Sequence, residues 1–177
     1  ICEDGVCDIP LFDENGKNVY AVVSPVGYHK IDMIEQAARL DTLENKTIAL
    51  IGGSFMAHIT HNQLKECIEK EFPNNKVFMF DEVGNAGPFN VFDKSTKVKT
   101  FQDKLKELNV DAVIVGNCGC GLCTTKETGS SIASEYIGIP SVTIGSSTFV
   151  SQIHSTGVNR GVSVLRAVEY PGSFSAH

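Results

Sequence analysis

The sequence predicts an α/β fold: an open, mostly parallel sheet with helices on both faces, a three-layer sandwich of the Rossmann or flavodoxin type. Three observations carry this reading. From residue 46 onward, strand-length apolar runs alternate with segments of helical period. The run Ala112-Val113-Ile114-Val115-Gly116 is continuously apolar, as expected of a strand covered on both faces. Three consecutive strand–helix units then imply parallel neighbours joined by right-handed crossovers.

The elements follow in order. Lys46-Thr47-Ile48-Ala49-Leu50-Ile51 reads as a strand closed by Gly52-Gly53. Ser54 is placed to cap the next helix, whose inner face is expected to carry Leu64, Cys67, Ile68 and Phe72. Pro73 and Asn74-Asn75 stop it, and Lys76-Val77-Phe78-Met79-Phe80 forms the second strand. After a glycine-bearing loop over residues 83–88, Val98, Phe101, Leu105 and Leu108 mark a second helix. The apolar run at 112–116 is the third strand. Ile132, Ala133, Tyr136 and Ile137 give the next helix its buried stripe, and Pro140 to Gly145 the fourth strand. A last amphipathic segment holds Phe149, Val150, Ile153 and His154. Upstream, Val19-Tyr20-Ala21-Val22-Val23 reads as an extra strand and residues 31–39 as an extra helix. Residues 1–18 are expected to be irregular, within one domain spanning 1–177.

Composition narrows the function. With 177 residues, 42% hydrophobic and 20% charged, the chain is an ordinary globular domain with material for a full core. No run of about 18 apolar residues occurs, so no membrane partner is expected. The net charge is −6 and the 15 Lys and Arg are scattered, which argues against nucleic acid as a partner. The first residue is Ile1, as in a fragment or processed product, and the acidic opening segment is unlike a secretory signal. A core of this size does not need the six cysteines as disulfides, so they point to redox or metal work in a reducing, cytoplasmic setting.

Three of those cysteines fall in Cys118-Gly119-Cys120-Gly121-Leu122-Cys123, directly after the third strand and before a helix. A helix N-terminus presents unpaired N–H groups and a partial positive charge, which favour a thiolate. Gly119 and Gly121 let the backbone turn tightly and leave the sulfurs uncovered. Cys120 and Cys123 can close a small disulfide, and Thr124 with Glu127 makes a capping-box pattern. The same residues leave other readings open. Cys118, Cys120 and Cys123 offer three thiolates for zinc or an iron–sulfur cluster, with His58, His61, His154, Cys2 or Cys7 as a fourth ligand. A thioredoxin-like electron carrier is a further alternative, since Ile139-Pro140 is similar to the proline that faces a thioredoxin Cys-x-x-Cys. Inert cysteines are the bland reading. Redox or nucleophilic thiols are preferred, because structural zinc usually draws on two ligand pairs.

Ligands of open α/β sheets bind beyond the C-terminal strand ends. Gly52, Gly53, Ser54, His58, Asn85, Gly119, Gly121, Thr124, Ser146 and Ser147 fall there and are the candidate substrate-binding residues. Gly52-Gly53-Ser54 suits a carboxylate or phosphate, with plain turn chemistry equally compatible. It lacks the third glycine of a dinucleotide fingerprint, so NAD is not expected, and no cofactor is called for outside the metal alternative. His58 and His61, spaced i, i+3, suit acid–base work or a metal. Arg160 and Arg166 as carboxylate clamps, and Asp81 and Glu82 as acids, are weaker candidates. Cys67 reads as a small buried hydrophobe.

Gly119-Cys120-Gly121-Leu122-Cys123-Thr124 resembles the Gly-Sec-Gly-Ser/Thr-Cys segment of the UGSC-motif selenoproteins and of the related selenoprotein subunits of glycine, betaine and D-proline reductases. Arg39-Leu40-Asp41-Thr42-Leu43-Glu44-Asn45-Lys46-Thr47, the strand before the motif and Ile139-Pro140-Ser141-Val142 after it are similar as well. The resemblance spans residues 39–150 and is densest over 110–145. It implies a thiol-dependent reductase, or a subunit of a reductase complex, that cleaves a carbon–heteroatom bond in a small polar substrate. Cys120 stands at the selenocysteine position as nucleophile and Cys123 as the resolving thiol. A dithiol or protein electron donor would reopen the bridge, and a homo- or hetero-oligomer is implied. Leu122, where the family has Ser or Thr, and the extra Cys118 are departures from the pattern.

Overall fold

The pleat of β1 (Thr47–Ile51) divides its side chains between two apolar clusters, which explains why every residue of that strand after the first is buried. Ala49 and Ile51 join Val113, Val115, Ile132 and Ile153 on one face. Ile48 and Leu50 join Val77, with Leu64 and Ile68 packed against them, on the other. Residues 15–17, 31–89, 96–172 and 174 are described by this computed structural model. The chain divides into two units, residues 1–30 and 31–177, and the elements below belong to the second.

After β1 come α1 (Ala57–Glu71), β2 (Lys76–Phe78), α2 (Phe80–Val83), α3 (Thr96–Glu107), β3 (Ala112–Cys118), α4 (Gly121–Glu135), β4 (Ser141–Ser146), α5 (Val150–Val158) and β5 (Ala167–Tyr170). The sheet order is β2-β1-β3-β4-β5 and every pairing is parallel. Residues of α3, α4 and α5 share the first cluster and residues of α1 the second, so helices lie on both faces of the sheet. This is the three-layer α/β fold that the sequence predicts. The strand order reverses between β1 and β3, and the crevice above such a switch point is where ligands of open sheets sit.

Several local expectations give way to tertiary contacts. Residues 31–40 form no helix; Ile34 makes a single parallel bridge to Val162. Instead Ala37 N–H donates to Glu135 Oε2 at 2.7 Å, and the Ala37 carbonyl accepts from Arg166 Nη2 at 2.6 Å. Those bonds take backbone groups that a helix would have used. The inner stripe of α1 holds Ala57 and His61, with Leu64 and Ile68 partly buried, so Cys67 is exposed rather than buried. β2 ends at Phe78, because Met79 caps α2: its N–H donates to Glu82 Oε2 at 2.9 Å. That bond occupies Glu82, and Asp81 is exposed beside it. β5 goes unrecognised in the sequence; it is a four-residue edge strand whose Val168 and Glu169 are exposed, so it lacks the alternation that announces a strand. The expected strand at Val19–Val23 lies outside the described residues.

The central helix, α4, is buried continuously from Glu127 to Glu135. Small residues permit this. A Cβ on Gly129 would overlap the Gly87 carbonyl, so the loop after α2 can lie directly on the helix only because residue 129 is glycine.

Candidate active site

At the C-terminal rim of the sheet, β3 runs two residues further than its apolar pattern suggests, through Asn117 to Cys118. Cys118 is therefore no part of an exposed cysteine loop. It pairs in register with Gly145 and is fully buried. Burial, reinforced by the nearby Glu127 carboxylate, pushes its thiol up to about 12, with the Thr128 and Thr124 hydroxyls acting in the opposite direction. A thiol in that state is neutral at physiological pH and has no access to a substrate, which corrects its place among the candidate nucleophiles.

Cys120 and Cys123 are placed differently. Cys120 is the N-cap of α4 and, like Cys123, keeps part of its surface exposed. The two form a disulfide, with Cα atoms 5.2 Å apart. Cys123 N–H donates to Cys120 Sγ at 3.1 Å, and Thr124 N–H to the Cys120 carbonyl at 2.8 Å. The sulfur of Cys120 thus occupies the position of a helix-capping oxygen, where free N–H groups and the helix dipole favour negative charge. Thr124 is not the cap that its spacing from Glu127 predicts. It lies inside the first turn and is fully buried, so it faces the interior and no substrate. Leu122 projects outward, 78% exposed, on the lip of the loop. Gln152 on α5 steadies that lip, its Nε2 donating to the Gly121 carbonyl at 2.9 Å and to Thr125 Oγ1 at 3.3 Å.

The glycine turn after β1 meets the end of β3 closely. A Cβ on Gly52 would stand 2.8 Å from the Gly116 carbonyl carbon and 3.1 Å from His61 Nε2. Asn117 Nδ2 donates to the Phe55 carbonyl at 2.7 Å and to Thr60 Oγ1 at 2.9 Å, tying the β3 end to the start of α1. Behind them His61 is fully buried, its Nε2 donating to the Ile51 carbonyl at 3.0 Å. Burial lowers its pKa, so it is a neutral structural imidazole; His58, on the same helix, is exposed.

The turn also has an occupant. Ser54 Oγ donates to Glu127 Oε1 at 2.8 Å, and the Gly53 N–H also favours that carboxylate. The donors that the sequence reserves for a substrate anion instead hold the chain's own Glu127, which is fully buried. Ser54 does not cap α1, which starts at Ala57 after Met56.

The remaining candidates scatter. Ser146 is buried at the end of β4, while Ser147 is exposed at the rim with its N–H on the Tyr170 carbonyl at 3.1 Å. Asn85 lies in the loop against the middle of α4, where Ala86 N–H donates to Ser130 Oγ at 3.1 Å. Ser130 is seven residues beyond Cys123, roughly 10 Å along a helix, so Asn85 does not join the cysteine loop. Arg166 is bound to buried Glu135 at 3.1 Å, next to the first residue of β4 and hence at the opposite end of the strands. It cannot clamp a substrate at the rim. Among the described residues no cluster of three His, Cys, Asp or Glu side chains has metal-holding geometry. No described helix is long and apolar enough to cross a membrane.

The UGSC family model matches residues 21–176. The chain belongs to the UGSC family. No curated protein and no solved structure matches it. Within this UGSC-family chain the motif cysteines sit at the strand–helix junction just described, and Leu122 points away from the interior.

Aromatic residues near the loop escape sequence reading. Gly119 faces Phe55 and Phe174, whose rings would lie 3.1 and 3.3 Å from a Cβ there. Phe174 stacks on Tyr170 with ring centroids 4.5 Å apart. Both line a cavity of about 320 Å³ with Met56, Ile59, Thr60 and Gln63. Its only signal in the sequence is Met56, Ile59, Thr60 and Gln63 recurring at helical spacing, a pattern that reads equally well as core.

Proposed function

We propose that the protein is a thiol-dependent reductase, or the thiol-bearing subunit of one, acting on a small molecule at the C-terminal rim of the sheet. The observation that carries this reading is the Cys120–Cys123 disulfide at the N-cap of α4. In the reduced protein the Cys120 thiolate accepts N–H bonds from the first turn and attacks the carbon of a carbon–heteroatom bond, displacing the heteroatom group. The Cys123 thiol then attacks Cys120 sulfur, re-forms the disulfide and expels the carbon group with its electron pair. That carbon must be able to carry the pair, as one next to a carbonyl or carboxylate can. An external dithiol reduces the bridge for the next turnover. The cavity at Tyr170 and Phe174, whose Phe174 ring lies against Gly119, offers space for the body of such a substrate, with Thr60 and Gln63 as its polar contacts.

The test is trapping. The reduced protein is exposed to small α-substituted carboxylates and amides, and intact mass is recorded for the parent chain, Cys123→Ser and Cys120→Ser. The expected result is an adduct on Cys120 that accumulates in Cys123→Ser, a disulfide in the parent chain, and neither in Cys120→Ser. Equal labelling of Cys123 and Cys120, with no disulfide in the parent chain, contradicts the assignment.

A further inference from the structure

Glu127 is costly to the fold as a bystander. It is fully buried, and although Ser54 Oγ holds Oε1 at 2.8 Å, Oε2 has no hydrogen-bond partner. A buried carboxyl with an orphan oxygen is destabilising unless it carries a proton. Oε2 is therefore poised to take up a proton, and its place points to the group that gives one. Glu127 follows Cys123 by four residues, so the two share one face of α4 with Cβ atoms about 5–6 Å apart. Helical side chains lean toward the N-terminus, which here means toward the disulfide. Ser54, from the turn after β1, fixes the carboxyl at the level of the rim.

Resting on the reading of Cys120 and Cys123 as a reactive dithiol, we propose that Glu127 is the proton carrier for Cys123. When Cys120 bears a group X through its sulfur, the Cys123 thiol passes its proton to Glu127 Oε2, and the sulfur's electron pair attacks Cys120 Sγ. The S–S bond forms, the S–X bond breaks, and X leaves with the bonding pair. The proton then moves from Glu127 to X. The two sulfurs together lose two electrons, X gains them with one proton, and Glu127 returns to its ionised form.

The surroundings suit this role. Burial raises the proton affinity of Glu127, and the Ser54, Lys126 and Gly53 contacts restrain that rise without cancelling it. Lys126 Nζ stands 3.8 Å from Oε1 and is partly exposed, so the ionised form is not stranded. From β3 the group that faces Glu127 is Cys118, itself held neutral, and the Thr124 and Thr128 hydroxyls are buried alongside without partners of good geometry. None of these exchanges protons near neutral pH as readily as a carboxyl.

The experiment uses 5,5′-dithiobis(2-nitrobenzoate) on the reduced full chain with Cys2, Cys7 and Cys67 replaced by serine. The coloured thiolate is released once when Cys120 attacks and again when Cys123 closes the bridge. That leaving group needs no proton, so the second release isolates proton removal from Cys123. In the parent chain the rate of the second release should bend at the ionisation of Glu127. Glu127→Gln should slow it about tenfold or more near pH 7, because an unassisted thiol of pKa about 8.5 is only a few per cent thiolate there. The bend should vanish, leaving a rate that follows Cys123 ionisation alone, and Glu127→Asp should restore part of it. A Glu127→Gln profile that overlays the parent, or is lowered equally at every pH, overturns the proposal. Should Glu127→Gln not fold, Ser54→Ala serves: loss of its hydrogen bond should move the bend to higher pH, and an unmoved bend overturns the proposal. A parent chain with no second release instead removes the dithiol reading itself.

Discussion

In the fully reduced protein Cys118 should be the last of the described thiols to react with iodoacetamide, by a wide margin. Its burial, with Glu127 nearby, pushes the thiol from the ordinary range of about 8.5 up to about 12. A rise of that size removes about a thousandfold or more of the thiolate present at neutral pH, and only the thiolate is alkylated. The sulfur also has no exposed surface, so reagent reaches it only after local opening, which adds to that factor. Cys67, exposed on α1, is the internal standard. The assay is timed alkylation of the reduced chain, acid quench, digestion, and quantification of each cysteine peptide by mass. Cys120 should label first, Cys67 next, and Cys118 about a thousandfold or more slower than Cys67. Labelling of Cys118 within about tenfold of Cys67 would refute the placement of that sulfur inside the β3–α4 junction.

Other consequences concern the frame that holds the loop. Gly52→Ala places a methyl against the Gly116 carbonyl and His61, and overpacking of this kind should cost about 1–3 kcal/mol, read by thermal denaturation; an unchanged melting temperature contradicts the contact. Arg166→Ala strips the cation from buried Glu135 and should cost about 3–5 kcal/mol in urea unfolding, with much of the loss recovered when Glu135→Gln is added. His61 and Glu127 should give opposite pH dependences. His61 has a folded pKa below 6.5, so its stabilisation is present above pH 6.5 and is lost as pH falls through the lowered value. Glu127 has a folded pKa above 4.5, so its contribution is present below pH 4.5 and is lost as pH rises through the raised value. His61→Gln should therefore flatten the acid side of the stability profile and Glu127→Gln should raise stability at neutral pH; unaltered profiles contradict both burial arguments.

The fold was legible because its strands are consecutive apolar runs, and β1 and β3 owe that pattern to having a cluster on each face. The Cys-x-x-Cys at the strand–helix junction was legible for the same local reason: strand end, glycines and helix start are all neighbours in sequence. What stayed hidden depends on partners far apart in the chain. Glu127 looked like the end of a capping box with Thr124, because nothing local tells that Ser54, 73 residues earlier, would take its carboxyl. Asn117 is an unremarkable strand residue until Phe55 and Thr60 arrive. Residues 31–39 have helical composition, yet Glu135 and Arg166 take the backbone N–H and carbonyl of Ala37 and no helix forms. On α1 the apolar type of Cys67 misleads, whereas His61, polar by type, takes the inward position because the Ile51 carbonyl accepts its N–H.

The proposed chemistry requires that sulfur at the α4 N-cap be an activated nucleophile. Its most direct measurement is the pH titration of thiolate ultraviolet absorbance in reduced Cys123→Ser, with Cys120→Ser subtracted as the blank. Cys120 should ionise well below the ordinary thiol value of about 8.5, because it accepts helix N–H bonds at the positive end of the dipole. Ionisation at or above that value would mean that the N-cap position confers no reactivity on this cysteine.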